Sequence, residues 1–227
     1  MCFKRYLILF KEIKMLNKYK HISFDLDGTL VHTIPEYRYK IVPYVVNKLG
    51  GSIKEKHSID KFWFEAERDQ IIKNEFNLDP DHFWNLFRKT DNPEERSKHT
   101  RAYEDAEPTL RKLKEIGKII SIITGAPHFI AEMEIGKLNG ASCDFYLSIH
   151  DSEFDAKPNP GSLNYAIKKL KVNLNETLYI GNSNEDSYFA KNAGVDFVYL
   201  ERREHEFDLG DYAVATIHSL NDLFKLV

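Results

Sequence analysis

Short apolar runs alternate with helical stretches from residue 108 to the end of the chain. Residues 119–123 and 195–200 are rich in β-branched and aromatic side chains, as strands are. Between such runs, apolar residues recur at helical spacing, for example Leu163 and Leu170. Strands that alternate with helices form a parallel sheet with helices on both faces, and ligands bind at the carboxyl ends of its strands. The sequence therefore predicts a doubly wound, Rossmann-like α/β core.

Two carboxylates follow the first apolar run. Residues 22–24 predict a buried strand, and Asp25 and Asp27 come directly after it, followed by Gly28. Side chains two residues apart leave a strand on the same side, so we expect both acids to face one crevice. Gly28 permits the sharp turn that this requires. One carboxylate can serve as a nucleophile and the other as an acid or base, and together they suit a hard cation such as Mg²⁺.

The segment between Pro35 and Arg101 shows no strand pattern. Pro35, Pro80 and Pro93 each stand where a helical stretch begins, and Ser58 is a candidate N-cap for another. The pattern predicts an all-helical insertion, a small four-helix bundle with its own core. The resulting division is an N-terminal extension at 1–14, an α/β core at 15–34 and 105–227, and a helical cap at 35–104.

Composition narrows the class of protein. The chain has 227 residues, of which 42% are hydrophobic and 30% charged, with a net charge of −3. This balance gives no general attraction to nucleic acid, and no apolar run is long enough to span a bilayer. Cys2 and Cys143 can pair only with each other, so a reducing, cytoplasmic location is the simpler interpretation. We expect a small-molecule enzyme that is a monomer or homodimer. The sequence does not decide whether translation starts at Met1 or Met15.

Four segments resemble, in order, the four motifs of the haloacid dehalogenase-like hydrolase superfamily. Each lies at a predicted strand end or helix start, and the resemblance covers roughly 21–34 and 105–200. The nearest group by insertion type and spacing is the phosphoglycolate phosphatase-like enzymes. The four segments are residues 25–30, 119–125, 157–160 and 181–186.

The resemblance implies a role for each catalytic residue. Asp25 would attack phosphorus to form an aspartyl-phosphate, and Asp27 would protonate the leaving oxygen and later activate water. An acid at position 27 indicates phosphate esters, because a leaving alkoxide needs a proton. Thr124 and the amides of Gly125 and Ala126 would hold the phosphate oxygens. The fourth catalytic residue, which would pair with Asp25 and neutralise phosphate charge, is Lys157.

The fourth motif departs from the family pattern. An aspartate normally follows the glycine and ligates the metal, but this chain has Asn182. An amide oxygen can still bind Mg²⁺, although the site loses one negative charge and should bind the cation more weakly. Asp186 matches the second acid of the motif. The predicted metal ligands are therefore Asp25, Asp27, Asn182 and Asp186.

The function predicted from these motifs is a Mg²⁺-dependent phosphatase that acts on a small phosphorylated metabolite. A phosphomutase of the same superfamily is an alternative, because it shares the covalent step. A protein that holds a phosphorylated ligand without turning it over is a third possibility, with Asn182 as its support.

Overall fold

The computed structural model describes residues 14–206 and 212–226. The extension predicted at 1–14 lies outside these ranges except for Lys14, the first residue of a short helix. The chain divides into two compact units. Of the described residues, one unit contains those up to Val31 and those from Ala102 onward, and the other spans His32–Arg101. Within the described ranges, no helix has the length and apolar character needed to cross a membrane.

Strands and helices alternate through the first unit, and helices dominate the second. The strands are β1 (His21–Phe24), β2 (Val31–Thr33), β3 (Thr100–Ala102), β4 (Ile119–Thr124), β5 (Phe145–Ser148), β6 (Thr177–Gly181), β7 (Asp196–Leu200) and β8 (Ala213–Ile217). The α-helices are α1 (Lys14–Lys18), α2 (Pro35–Lys48), α3 (Lys56–Phe64), α4 (Arg68–Glu75), α5 (Pro80–Thr90), α6 (Pro93–His99), α7 (Ala106–Glu115), α8 (His128–Gly136), α9 (Gly161–Leu170) and α10 (Asn184–Ala193). Two 3-10 helices span Leu174–Glu176 and Leu220–Lys225.

Six strands form one parallel sheet in the order β5-β4-β1-β6-β7-β8. In the centre, His21 of β1 is opposite Ile119 of β4 and Thr177 of β6. Parallel strands all end at the same edge of a sheet, so the chain segments that follow β1, β4 and β6 emerge side by side. The predicted doubly wound α/β core is confirmed.

Alternate side chains of the central strands enter two hydrophobic clusters. Leu178 and Ile180 of β6 pack in one cluster with Leu110 of α7. Tyr179, which lies between them in sequence, packs in the other with Leu163 of α9. Successive side chains of a strand point to opposite faces, so both faces of the sheet are covered by helices. Burial on both faces explains why these strands are continuous apolar runs in the sequence.

The second unit contains five helices, α2 to α6, around a core of its own. That core is strongly aromatic. Its ring pairs have centroid separations of 5.1 to 5.9 Å, a range in which tilted and edge-on packing adds to the stabilisation from burial. The rings belong to Phe62, Phe76, Phe83 and Phe87.

The sequence predictions for this unit are wrong at three points. The four predicted helices omit α4, in which only Ile71 and Ile72 are buried, because two adjacent isoleucines do not make a helical stripe. Ser58 is not an N-cap: α3 begins at Lys56, and the buried Ser58 hydroxyl donates to Glu75 at 3.0 Å. The segment 35–104 is also not entirely helical, because β3 lies within it and pairs with β2.

A buried histidine lies at the start of β1. The Nε2 atom of His21 is 2.8 Å from the Ser121 hydroxyl, and its Nδ1 atom is 3.2 Å from the Thr177 hydroxyl. Its side chain has no solvent exposure. Burial lowers the pKa of His21 from 6.5 to about 4, since a charged imidazolium is disfavoured away from water.

We expect this histidine to reduce stability in acid. Its pKa is lower in the folded protein than in the unfolded chain, so its contribution is fully present above pH 6.5 and is lost as the pH falls toward 4. At about pH 4.5 the loss in the free energy of unfolding is about 2 to 3 kcal/mol. Urea unfolding at neutral and acid pH, in wild type and His21→Gln, measures it. The glutamine cannot titrate, so an equal acid loss in both proteins would contradict the prediction.

Candidate active site

Polar residues gather where the central strands of the sheet end. Asp25 comes directly after β1, Thr124 is the last residue of β4, and Gly181 is the last residue of β6. The Asp25 amide donates to the Ile180 carbonyl at 2.9 Å, which continues the pairing of β1 with β6 for one more residue. These residues therefore lie at the edge of the sheet where the sequence predicts the site.

The loop after β1 is a tight turn with its own hydrogen bonds. The Leu26 carbonyl accepts from the amides of Thr29, Leu30 and Val31, at 3.2, 2.8 and 3.1 Å. Gly28 has φ +83°, a conformation that side chains rarely adopt, and a Cβ there would come within 2.3 Å of the Asn182 amide nitrogen. Within this turn Asp25 is buried and Asp27 is half-buried.

A lysine joins two carboxylates beneath this turn. Lys157 Nζ lies 2.7 Å from Asp25 Oδ1 and 2.9 Å from Asp186 Oδ1. None of the three residues is more than 8% exposed. The ammonium also lies over the rings of Tyr179 and Phe189, at 5.5 and 5.4 Å from their centroids. The structure thus brings Asp25, Lys157 and Asp186 into direct contact, although 132 residues separate the first two.

Burial and charge act on this triad in opposite directions. Burial alone would lower the pKa of Lys157, but Asp186 and Asp25 raise it well above its ordinary value. Burial, with repulsion from Asp186, raises the pKa of Asp25 despite the nearby ammonium. Two carboxylates share one cation, so Lys157 offsets the negative charge of Asp25 only in part.

Asp186 is the most completely hydrogen-bonded acid of the site. Its Oδ2 accepts from the amides of Asn182 and Ser183, both at 3.2 Å, and from the Ser183 hydroxyl at 2.8 Å. Its Oδ1 accepts from Lys157 and from the Tyr179 hydroxyl, the latter at 3.1 Å. Ser183 and Asp186 also form the capping box that begins α10. With five donors already present, this carboxylate is arranged to hold Lys157.

Two oxygen atoms of the kind that bind a hard cation lie next to the Thr29 hydroxyl. Thr29 Oγ1 is 3.2 Å from Asp25 Oδ2 and 3.2 Å from Asn182 Oδ1. Carboxylate and amide oxygens fit Mg²⁺, which commonly takes one or two protein carboxylates together with water or substrate oxygens. Among the described residues no three His, Cys, Asp or Glu side chains form a metal-binding group. Asp25 and Asn182 each place one oxygen of that kind beside Thr29, and of the two only Asp25 can carry a negative charge.

The loop after β4 is held from two sides. The Ala126 amide donates to Thr124 Oγ1 at 3.1 Å, and the Ala126 carbonyl accepts from the Ser148 hydroxyl at 2.6 Å. The first amide of α8, that of His128, donates to Asp151. These bonds fix the backbone that carries Gly125, whose own position is exposed. The predicted phosphate-holding residues therefore lie on a restrained loop at the end of β4.

Several residues of this site were not predicted from the sequence. Ser148 and Asp151 are at and just beyond the carboxyl end of β5, so the rule that places sites at strand ends could have indicated them. Tyr179 lies inside β6, where an aromatic residue is ordinary, and nothing in the sequence distinguishes it.

The chain is similar to known proteins of one family. A model of the haloacid dehalogenase-like hydrolase family matches residues 22–200. A phosphoglycolate phosphatase of Pseudomonas syringae pv. tomato is 27% identical over 198 residues, 80% of this chain and 69% of its own length. A Caldanaerobacter subterraneus protein named as the pyrophosphatase PpaX is 28% identical over 215 residues, 90% of this chain and 94% of its own. A solved haloacid dehalogenase-like hydrolase from Bacteroides fragilis has a TM-score of 0.76 at 25% identity, covering 91% of this chain and 100% of that one.

The close approach of Gly181 to Asp186 gives a test of the triad. A Cβ at position 181 would lie 2.4 Å from Asp186 Cγ, so Gly181→Ala must displace the carboxylate that holds Lys157. We expect a loss of about 2 kcal/mol or more in the free energy of unfolding. Denaturant unfolding measures it. The control is Gly136→Ala, which meets nothing within 4 Å and should leave stability unchanged or higher. Equal stability of the two variants would contradict the assigned role of Asp186.

Proposed function

The chain belongs to the haloacid dehalogenase-like hydrolase family, and on that premise we propose that it is a Mg²⁺-dependent phosphatase of small phosphorylated metabolites. The observation that carries the proposal is the buried contact of Asp25 with Lys157 at the carboxyl ends of β1, β4 and β6. A carboxylate held against a cation at that edge is suited to attack an anionic phosphoryl group.

Covalent chemistry begins at Asp25. Lys157 holds its Oδ1, so Oδ2, beside the Thr29 hydroxyl, is the oxygen that attacks phosphorus. A bond forms between Oδ2 and phosphorus while the ester bond breaks, and Asp27 gives its proton to the leaving oxygen. In the second step Asp27 takes a proton from water, which attacks phosphorus and releases inorganic phosphate and the Asp25 carboxylate.

Negative charge on the phosphoryl group is met by groups from three elements. Lys157 supplies a full positive charge, and Thr124 with the amides of Gly125 and Ala126 supplies hydrogen-bond donors. Asp25, Asp27 and Asn182 would hold Mg²⁺. When bound, the ion reduces the repulsion between the Asp25 carboxylate and the phosphate.

In this proposal Asp186 does not bind the metal, although the resemblance to the fourth motif implies that it does. Its two oxygens already accept from five donors, one of which is the ammonium of Lys157. A carboxylate so engaged orients Lys157 toward Asp25, and it would have to give up hydrogen bonds to bind a cation directly. We therefore assign Asp186 to the positioning of Lys157.

The substrate class follows from the relatives and from the second unit. The relatives named as a phosphoglycolate phosphatase and a pyrophosphatase support a small phosphorylated compound as the substrate. The helical unit, with its own aromatic core, is proposed as the cap that selects among such compounds. A panel of phosphorylated metabolites assayed for phosphate release would identify the preferred one.

One observation favours a second candidate, a protein that binds a phosphorylated ligand but turns it over slowly. Asn182 stands where the family motif has an acid, and its oxygen is engaged by Thr29. The triad of Asp25, Lys157 and Asp186 argues against it, because a binding protein has no need of a buried nucleophile. Turnover measurements separate the two candidates.

The first prediction of the proposal concerns Asp25. We expect Asp25→Asn to reduce kcat for p-nitrophenyl phosphate by about 1,000-fold or more, because an amide is not a nucleophile toward phosphorus. Phosphate release with and without Mg²⁺ measures it. The control is Glu115→Gln, which neutralises an exposed acid at the end of α7 and should keep wild-type activity. Ligand-induced stabilisation of a wild-type protein that shows no turnover would favour the binding candidate.

A second prediction concerns Asn182. Without metal, Asn182→Asp should lower the melting temperature, because it adds a carboxylate beside Asp25 and Asp186. With Mg²⁺ the same variant should gain more stability than wild type, with a dissociation constant lower by about tenfold, or about 1.4 kcal/mol. Thermal unfolding across a Mg²⁺ titration measures both effects without any substrate.

The control for position 182 is Asn184→Asp, which makes the same change of charge two residues further along the chain. Its Mg²⁺ response should stay close to that of wild type. If Asn182→Asp leaves the Mg²⁺ response unchanged, residue 182 is not a ligand.

A further inference from the structure

A bidentate ion pair joins an arginine and an aspartate next to the candidate site, and both side chains are largely buried. Arg202 Nη1 lies 2.9 Å from Asp105 Oδ2, and Arg202 Nη2 lies 2.9 Å from Asp105 Oδ1. Their side chains are only 8% and 11% exposed. Arg202 follows the carboxyl end of β7, and Asp105 directly precedes α7. A parallel pair of hydrogen bonds of this kind fixes the plane of the guanidinium as well as its position.

The same guanidinium contacts the loop that carries the candidate nucleophile. Arg202 Nη2 donates to the Thr29 carbonyl at 2.7 Å, across 173 residues of sequence. The hydroxyl of Thr29 in turn contacts Asp25 Oδ2 and Asn182 Oδ1. A displacement of the Thr29 backbone would therefore move the hydroxyl that lies between Asp25 and Asn182.

Other residues hold this pair in place. Asp105 Oδ2 also accepts from the Ser219 hydroxyl at 2.7 Å and from the Leu220 amide at 2.9 Å. Burial alone would raise the pKa of Asp105, but hydrogen bonds from Arg202 and Ser219 lower it below its ordinary value, so the carboxylate stays ionised. The guanidinium lies 3.7 Å from the centroid of the Tyr103 ring. The Tyr103 amide donates to the Leu30 carbonyl at 3.0 Å, so the loop is held at two consecutive carbonyls.

We propose that Arg202 is a positioning residue, which fixes Thr29 and through it Asp25, with Asp105 as the fixed support of its guanidinium. The inference rests on the proposed function to the extent that Asp25 is the nucleophile. Stability alone does not account for the arrangement. A buried ion pair often adds little net stability, and Arg202 Nε is buried with no acceptor in the part of the chain that the structure describes. The contact with the Thr29 carbonyl connects this costly pair to the site.

The experiment compares Arg202→Lys and Arg202→Met with Arg111→Met. Lysine keeps the charge but lacks the planar guanidinium that reaches Asp105 and Thr29 together, and methionine removes both the charge and the guanidinium. Arg111→Met is the matched control: Arg111 also joins a carboxylate, that of Glu107, to a backbone carbonyl, that of Asn139, but it lies on α7 and has no part in the proposed support of Thr29. Two quantities are measured: amide hydrogen exchange of Thr29, Leu30 and Val31, and kcat and KM for p-nitrophenyl phosphate with Mg²⁺.

We expect exchange at these three amides to become about tenfold faster in both Arg202 variants and to change little in Arg111→Met. Because a misplaced nucleophile affects the chemical step, kcat should fall by about 10- to 100-fold in the Arg202 variants, with a smaller change in KM. Arg111→Met should keep kcat, although it too removes an arginine that joins two segments of the chain. If Arg202→Met does not fold, Arg202→Lys alone decides.

Wild-type exchange and wild-type kcat in Arg202→Lys would overturn the inference. Faster exchange spread evenly over the whole sheet would overturn it too, because that is the result of a purely structural role. The exchange measurement needs no activity. The two proposals can therefore fail separately. If the wild type hydrolyses no phosphate ester but the Arg202 variants still show locally faster exchange, the positioning role is upheld and the proposed phosphatase is refuted.

Discussion

The contact of one buried ammonium with two buried carboxylates is the interaction on which the rest of this site depends. Removing three charges from water is costly, and it is tolerated only where hydrogen bonds satisfy the oxygens that the cation does not reach. Asp186 meets this condition, because backbone amides, a serine and a tyrosine supply its other donors. Asp25 meets it less fully, with Lys157 at 2.7 Å from its Oδ1 and the Thr29 hydroxyl at 3.2 Å from its Oδ2.

Local backbone geometry follows from that triad. Gly181 is required because Asp186 folds back over it, leaving no room for a side chain. Gly28 is required in the same sense because Asn182 lies against it. The two glycines thus allow the loop after β1 to lie close to the segment that leads into α10. The Thr29 hydroxyl connects these two segments, because it contacts both Asp25 and Asn182.

The asparagine at position 182 sets the charge balance of the site. An aspartate there would give the site a further negative charge opposite one lysine. With the amide, the metal-free protein avoids that repulsion. If Mg²⁺ binds as proposed, the amide would also attract it more weakly, so stability without metal and affinity for metal would be opposed at this one position.

The sequence by itself determined the six strands of the parallel sheet, most of the helices and the strand ends at which Asp25 and Thr124 lie, because periodicity and strand-end position are local properties. It missed the short strands β2 and β3. It did not reveal α4, whose two adjacent buried isoleucines make no stripe, or the capping and lysine-holding role of Asp186. Only the tertiary structure placed Tyr179 against Asp186 and Arg202 against the Thr29 carbonyl. These contacts join separate segments of the chain, and contacts of that kind depend on strand register and helix packing, which no local pattern records.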